Sequence, residues 1–325
     1  MENTLTGREI QEARQRIGKY IRRTPLLDSP TLSQRLGCQI YLKAETLQRT
    51  GSFKIRGALN KTLQLSQEEL DRGLIAGSAG NHAQGLAYAG RLLGAKTLIV
   101  MPADAPQLKV ENTRAMGAQV ELLDLPQPKR YEYIMNQVQE HGYTMVHAYD
   151  DYQIMAGQGT IGLEVLEDLP QVDTIVVPVG GGGLISGIAV AAKSVNPKVR
   201  IVGVEPALAP KGHESRRLGR QVTVTAGPTM ADGIKDDFLG KKTYPLMEQY
   251  VDEMVLASEE SIAQAMRLLC SENKLAVEGA GAVGLAALLD GNLKVQPEEK
   301  VCFVLSGGNW EPSRLAAIYS GADHL

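Results

Sequence analysis

The sequence predicts an α/β fold of open, mostly parallel sheets flanked by helices, and three observations carry that prediction. Short apolar or β-branched runs bounded by Gly, Pro or Asp alternate with longer stretches whose apolar residues recur at helical spacing. Several of the short runs are apolar on both faces, as strands covered by helices on each side must be. Clusters of glycine and small polar residues follow the runs near residues 74, 174 and 301, at the strand ends where ligands of such folds bind.

In chain order, strands are expected at 39–43, 74–76, 97–101, 119–122, 174–179, 200–204 and 301–305. The runs Thr-Leu-Ile-Val-Met at 97–101 and Thr-Ile-Val-Val-Pro-Val at 174–179 have the β-branched content of buried strands. Helices are expected at 83–93, 108–116, 131–141, 157–166, 184–193, 259–272 and 282–289. No low-complexity linker, long charge run or repeat divides the chain. Two strand–helix blocks, one from about residue 74 to 122 and one from 174 onward, flank a mixed segment at 123–150, which predicts two lobes with a cleft between them.

Composition narrows the function. The chain has 325 residues, 43% hydrophobic and 22% charged, which excludes disorder and fibres. A net charge of −3 offers no general attraction to nucleic acid or to an anionic membrane, leaving small molecules as the expected ligands. Cys38, Cys270 and Cys302 form no C-x-x-C pair, so neither a disulfide framework nor a zinc cluster is indicated, and a reducing cytoplasm is expected. The N-terminal residues lack a signal-peptide apolar region, and no stretch approaches the ~18 apolar residues of a membrane span. Glycine is abundant, with 34 residues against 3 Phe and 1 Trp, which suggests backbone turned toward ligands.

Four motifs carry the chemistry. In Thr50-Gly51-Ser52-Phe53-Lys54-Ile55-Arg56-Gly57-Ala58 a lysine follows a small-residue turn and an aromatic; a buried lysine there can lose its proton and act as an amine nucleophile, whereas a solvated helix is the plainer reading. In Val177-Pro178-Val179-Gly180-Gly181-Gly182-Gly183-Leu184 a buried strand runs through four glycines into a helix, an arrangement that turns backbone N–H groups onto a phosphate. It fits neither G-x-G-x-x-G nor the P-loop pattern, so dinucleotide and nucleoside-triphosphate readings weaken. Gly77-Ser78-Ala79-Gly80-Asn81-His82 can hold a carboxylate at a helix start or merely cap that helix. Leu305-Ser306-Gly307-Gly308-Asn309 closes the last strand with one hydroxyl.

In this order, and with Ala231-Asp232-Gly233 and Val277-Glu278-Gly279-Ala280 also matching, these motifs resemble the pyridoxal-phosphate enzymes of fold type II, specifically threonine and serine dehydratases and serine racemase. The resemblance covers essentially the whole chain. It implies a tryptophan-synthase-β-like architecture, with a large cofactor-binding domain at 1–65 plus 147–325 and a small domain at 66–146. It also implies pyridoxal 5′-phosphate as cofactor, a small amino acid as substrate, no nucleic-acid or membrane partner, and a homo-oligomer, dimer or tetramer. Lys54 is then the Schiff-base lysine and Phe53 packs on the pyridine ring. Asn81 bonds the ring's phenolic oxygen, and Gly180, Gly181, Gly182 and Gly183 bind the phosphate. Ser78, Ala79, Gly80, Asn81 and His82 hold the substrate carboxylate. Ser306 meets the pyridine nitrogen; a neutral hydroxyl does not keep that nitrogen protonated, which favours loss of a β-leaving group over transamination. The implied reaction is dehydration of a β-hydroxy L-amino acid: Lys54 removes the Cα proton, the hydroxyl departs with the phosphate as its acid, and a 2-keto acid and ammonia result.

Departures from the family pattern choose among its members. Serine racemase resembles this chain but carries a serine, as a second proton donor, where Ala79 stands, and an alanine cannot do acid–base chemistry. Relatives with a divalent-cation site use the equivalents of Glu205, the Ala209 position and an aspartate where Lys211 stands; a charged lysine cannot ligate a hard cation but its ammonium can take the same space. Arg130 and Asp236 fall near substrate-facing positions of serine racemase. Read as solvated charges, with Lys129 and Asp237, they leave a threonine or serine pocket; facing inward, they call for a charged substrate such as 3-hydroxyaspartate or a hydroxylated diamino acid from hydroxyectoine breakdown. Only 16 residues follow Asn309, which leaves no room for a regulatory domain and suggests a catabolic enzyme. His141, His147, His213 and His324 show no ligand spacing and are expected on the surface or in the core.

Overall fold

The structure is a computed structural model that describes residues 4–321; His324 lies outside them. Its strands are β1 (Leu26–Asp28), β2 (Gln39–Ala44), β3 (Leu74–Gly77), β4 (Thr97–Pro102), β5 (Gln119–Leu123), β6 (Thr144–Met145), β7 (Thr174–Pro178), β8 (Arg200–Pro206), β9 (Glu253–Ala257) and β10 (Lys300–Leu305). They form a six-stranded sheet in the order β1-β2-β10-β7-β8-β9 and a four-stranded sheet in the order β5-β4-β3-β6. Every pairing is parallel except β1 with β2, so the α/β fold of two mostly parallel sheets flanked by helices is the one observed.

The seven expected strands and seven expected helices are all present, with ends that agree or move by at most five residues. The largest shift is at the helix Tyr152–Asp168, which starts five residues before the expected 157 because Asp151 caps it, accepting from the Gln153 and Ile154 N–H groups. Strands β1, β6 and β9 are additions to the expected set: the first two span three and two residues, too short for a period, and β9 lies at a sheet edge with Glu253 and Leu256 only half-buried. The N-terminal helix Gly7–Ile17 gives little signal in the sequence because only Ile10, Ala13 and Ile17 turn inward from a polar stretch. No helix among the described residues is long and apolar enough to cross a membrane.

The chain leaves the six-stranded sheet after β2, builds the four-stranded sheet, and returns with β7. Parallel strands point the same way, so the turns after β2, β7 and β10 open at one end of the larger sheet. The segment after β2 leads into the helix Lys54–Thr62, which packs on the helix Tyr152–Asp168 so closely that a Cβ on Gly157 would meet the Arg56 carbonyl at 2.5 Å. Between them lies Arg56, fully buried. Its guanidinium donates to both carboxylate oxygens of Glu45 at 2.8 Å and to those of Glu164 at 2.7 and 3.0 Å. Lys43, also fully buried, pairs with Glu164 at 2.7 Å. The cluster sets two cations against two carboxylates, which is what makes it tolerable away from water.

Removing one member strands the others. Arg56→Met should lower the unfolding free energy by about 3–5 kcal/mol, the range for breaking a buried ion pair; a loss below about 1 kcal/mol in a denaturant titration would contradict the arrangement.

Candidate active site

The glycine run leaves β7 through Val179 and enters the helix Gly183–Val195. Gly182 sits at φ +94°, a left-handed conformation that glycine alone takes without strain, and it turns the chain into the helix. Ser186 is the first residue whose N–H bonds back, to the Gly182 carbonyl at 3.0 Å, so the helix opens with N–H groups aimed past its end. Side chains crowd this turn: a Cβ on Gly181 would overlap the Tyr149 ring at 2.4 Å, and one on Gly180 would lie 2.7 Å from the Asp236 carboxylate. The run is therefore a cradle of backbone dipoles with no room for a side chain of its own.

Lys54 opens the helix Lys54–Thr62 and points at this cradle. Its ammonium donates to the Ala148 carbonyl at 2.9 Å and stands 5.2 Å from the centre of the Phe53 ring. Burial pushes its pKa down to about 8, against the partial support of the Asp236 and Glu278 carboxylates. The lysine of the sequence motif is thus a half-buried, largely desolvated amine and not a solvated charge.

The opposite wall is a ring of hydrogen bonds. Asn81, first residue of the helix Asn81–Leu93, donates from Nδ2 to Glu278 Oε1 at 2.6 Å and accepts from Asn309 Nδ2 at 2.8 Å. The Asn309 N–H closes the ring on Glu278 Oε2 at 3.1 Å. One N–H of Asn81 is left for the pocket. Burial pushes the Glu278 carboxyl up to about 7. Ser306, buried at the end of β10, lines the same pocket and its hydroxyl makes no hydrogen bond among the described residues. Gly51, at φ +68°, lets the loop before Lys54 pass Asn309, whose Oδ1 would stand 2.3 Å from a Cβ there.

Lys54, Phe53, Asn81, the four glycines and Ser306 are therefore brought together in one pocket. Ser78, Ala79 and Gly80 form the turn into the helix at Asn81, with the Gly80 N–H on the Ser78 hydroxyl at 3.2 Å. The His82 side chain is turned away: it is buried, its Nε2 meets the Val146 carbonyl at 2.8 Å, and burial together with the nearby Lys54 pushes it down to about 3. Only its backbone N–H remains available at the helix start.

The structure decides one open reading and corrects two expectations. Asp236 is no solvated surface charge; it lines the pocket beside Gly180, and burial raises its pKa. Arg130 does not line the pocket, because its guanidinium folds back onto the Leu125 carbonyl ahead of its own helix. Glu205 and Ala209 do not form an open metal site: the Lys211 ammonium lies among them, 3.1 Å from Glu205 Oε1 and 3.5 Å from the Ala209 carbonyl. Among the described residues, no group of three or more His, Cys, Asp or Glu could hold a metal.

Two pocket residues carry no role in the sequence reading. Glu278 stands inside a matched motif, and a glutamate between Val277 and Gly279-Ala280 in an apolar run is the signal that could have found it. Tyr149 is held over the cradle because the His147 Nδ1 accepts from the Tyr149 and Asp150 N–H groups at 3.2 and 2.9 Å; nothing in its own neighbourhood announces it.

These donors fit pyridoxal phosphate. The cradle suits the phosphate, Phe53 gives an apolar wall for a ring, and Asn81 and Ser306 present free polar groups. Lys54 supplies the amine.

A family model described as pyridoxal-phosphate dependent enzyme matches residues 17–307. The L-threonine ammonia-lyase of Thermotoga maritima is 49% identical over 314 residues, 97% of this chain and 78% of that one. Among solved structures, maize serine racemase gives a TM-score of 0.93 at 36% identity, covering 98% of each chain. The serine racemase of Dictyostelium discoideum gives 0.90 at 36% identity, covering 95% of this chain and 100% of that one. With the lysine, the glycine cradle and the asparagine in one pocket, the chain belongs to the family of pyridoxal-phosphate dependent enzymes, in the fold of type II.

Proposed function

We propose that this protein is a dehydratase of β-hydroxy L-amino acids, releasing a 2-keto acid and ammonia, with L-threonine or L-serine as the plain substrate. The observation that carries the reading is the half-buried Lys54 amine, its pKa pushed down to about 8 beside the glycine cradle, with Ala79 in the turn at Asn81 where serine racemase carries a proton donor. Relatives named threonine ammonia-lyase and threonine dehydratase, at 44–49% identity, support it over racemisation. The bound cofactor supplies an electrophilic carbon for amines and an electron sink for charge developing at the substrate Cα.

The protein's own groups do the rest. The N–H groups at 180–184 hold the phosphate, Phe53 and Asn81 orient the ring, and Ser306 meets its nitrogen without protonating it. The N–H groups opening the helix Asn81–Leu93, with Ser78, hold the substrate carboxylate. The Lys54 amine takes the Cα proton as the β-hydroxyl departs; the enamine released then hydrolyses to the keto acid and ammonia. Residues 1–65 with 147–325 serve as the cofactor-binding domain and 66–146 as the smaller one that presents Asn81.

A second reading of the substrate rests on Asp236. A carboxylate that burial already disfavours, lining the pocket with the Gly181 N–H as a partner and no side-chain donor among the described residues, favours a substrate bearing a cationic or hydrogen-bond-donating tail, such as a hydroxylated diamino acid. The same carboxylate opposes 3-hydroxyaspartate, and Arg130 is spent on Leu125.

Two measurements follow. Covalent attachment of pyridoxal phosphate to the cofactor-free protein, trapped by borohydride and located by mass spectrometry, should map to Lys54 and speed up with pH through a midpoint at about 8, levelling off by about pH 9–9.5, because the neutral amine fraction grows through a pKa of about 8. Lys54→Ala should lose both the attachment and keto-acid release; activity at the wild-type level in that variant, or a rate still climbing at pH 10, would defeat the assignment. For the substrate, Asp236→Val should cut kcat/KM for a hydroxylated diamino acid at least about tenfold, ~1.4 kcal/mol of transition-state binding, and leave L-threonine no worse. An equal loss on both substrates would remove Asp236 from specificity.

A further inference from the structure

Lys211 begins the helix Lys211–Leu218 and is fully buried. Its ammonium stands among four oxygens on three separate segments: the Val179 carbonyl at 3.0 Å, the Ile234 carbonyl at 3.1 Å, the Ala209 carbonyl at 3.5 Å and Glu205 Oε1 at 3.1 Å. Glu205 is pinned in turn by the Gly212 N–H at 2.8 Å and the His213 N–H at 2.9 Å. An ammonium has three protons, and its three hydrogen bonds go to the Val179, Ile234 and Ala209 carbonyls, the last a long one, while Glu205 faces it as the partner of an ion pair. One carboxylate against one ammonium leaves the cluster neutral, which a buried site requires.

The position of the cluster gives it meaning. Val179 immediately precedes the glycine run, and Ile234 is two residues before Asp236, so one ammonium ties the start of the cradle to the loop that faces it. The resemblance to cation-binding relatives implies a divalent ion at this place, and the residues do not fit one. A hard divalent ion needs six or more oxygens at 2.0–2.6 Å, whereas here a covalently tethered cation takes the centre. We propose that Lys211 is a built-in cation that positions the glycine run, and that this protein consequently retains pyridoxal phosphate without help from any added metal ion. Lys211 is a positioning residue, acting on the cofactor through the Val179 and Ile234 carbonyls. The inference rests on residues 180–183 being the phosphate cradle.

The test is the dissociation constant of pyridoxal phosphate, titrated into cofactor-free protein by absorbance, in tetramethylammonium buffer with and without potassium, ammonium, magnesium or chelator. Wild-type affinity should be the same in all of them. Lys211→Ala should weaken binding about tenfold or more, as loss of a supporting partner does for bound metals, and potassium or ammonium should restore most of it by entering the vacated space. Lys211→Met fills that space without charge and should be weak and not rescued. Gly182→Ala should weaken binding whatever the cation, because it strains the cradle itself. Wild-type affinity that depends on magnesium and falls with chelator would overturn the proposal, even if the Lys211→Ala protein does not fold. So would a Lys211→Ala variant that binds like wild type while Gly182→Ala does not. If Gly182→Ala also binds like wild type, the cradle reading falls and the inference with it.

Discussion

The arrangement that the rest depends on is the buried Arg56 guanidinium between Glu45 and Glu164. Glu45 follows β2, Glu164 lies on the helix Tyr152–Asp168, and Arg56 is one half-turn beyond Lys54 on its own helix. Planar, two-pronged pairing on both sides gives the guanidinium one orientation, and with it the helix that carries the lysine. The Lys54 amine therefore meets the Ala148 carbonyl and the cradle from a fixed direction. A lysine on a loose loop would find water, regain its ordinary basicity and lose the property that makes it useful.

The pocket then works by contrast. In the proposed function, backbone dipoles at 180–184 receive the phosphate without a cationic side chain, which leaves the lysine as the amine of the site and not as a counter-ion. Lys54 at about 8 and Glu278 at about 7 are both brought toward neutrality by burial, from opposite directions. Lys211, outside the pocket lining, supplies a cation behind the cradle through the Val179 carbonyl.

Much of this is legible in the sequence, and the reasons for the rest are physical. Strands such as β4 and β7 are apolar on both faces and announce themselves; β9 sits at an edge, where Glu253 breaks the run. Lys54, Asn81, the glycines and Ser306 can be read because each belongs to a strand-end turn whose backbone needs small residues. Asp236 is legible only as a candidate with two readings, since an Asp-Asp pair in a polar loop also reads as surface; the Lys211 contact with the Ile234 carbonyl is among those that hold that loop against the pocket. Arg130 misleads for the converse reason: its position suggests the pocket, while a local carbonyl at Leu125 satisfies it. Tyr149 depends on a turn held by His147, a residue that spacing alone leaves without a role.

The central claim is the proposed one, elimination and not racemisation, and it rests on Lys54 as the base and on an alanine at position 79, which carries no proton to donate. The direct measurement is the rate of 2-keto acid release from L-serine alongside the rate of D-serine formation, with purified, cofactor-loaded protein. The account predicts keto acid and ammonia in equal amounts, with D-serine at least about a hundredfold slower, in keeping with the 10²–10⁴-fold that a positioned acid or base contributes. D-serine appearing as fast as the keto acid would contradict it.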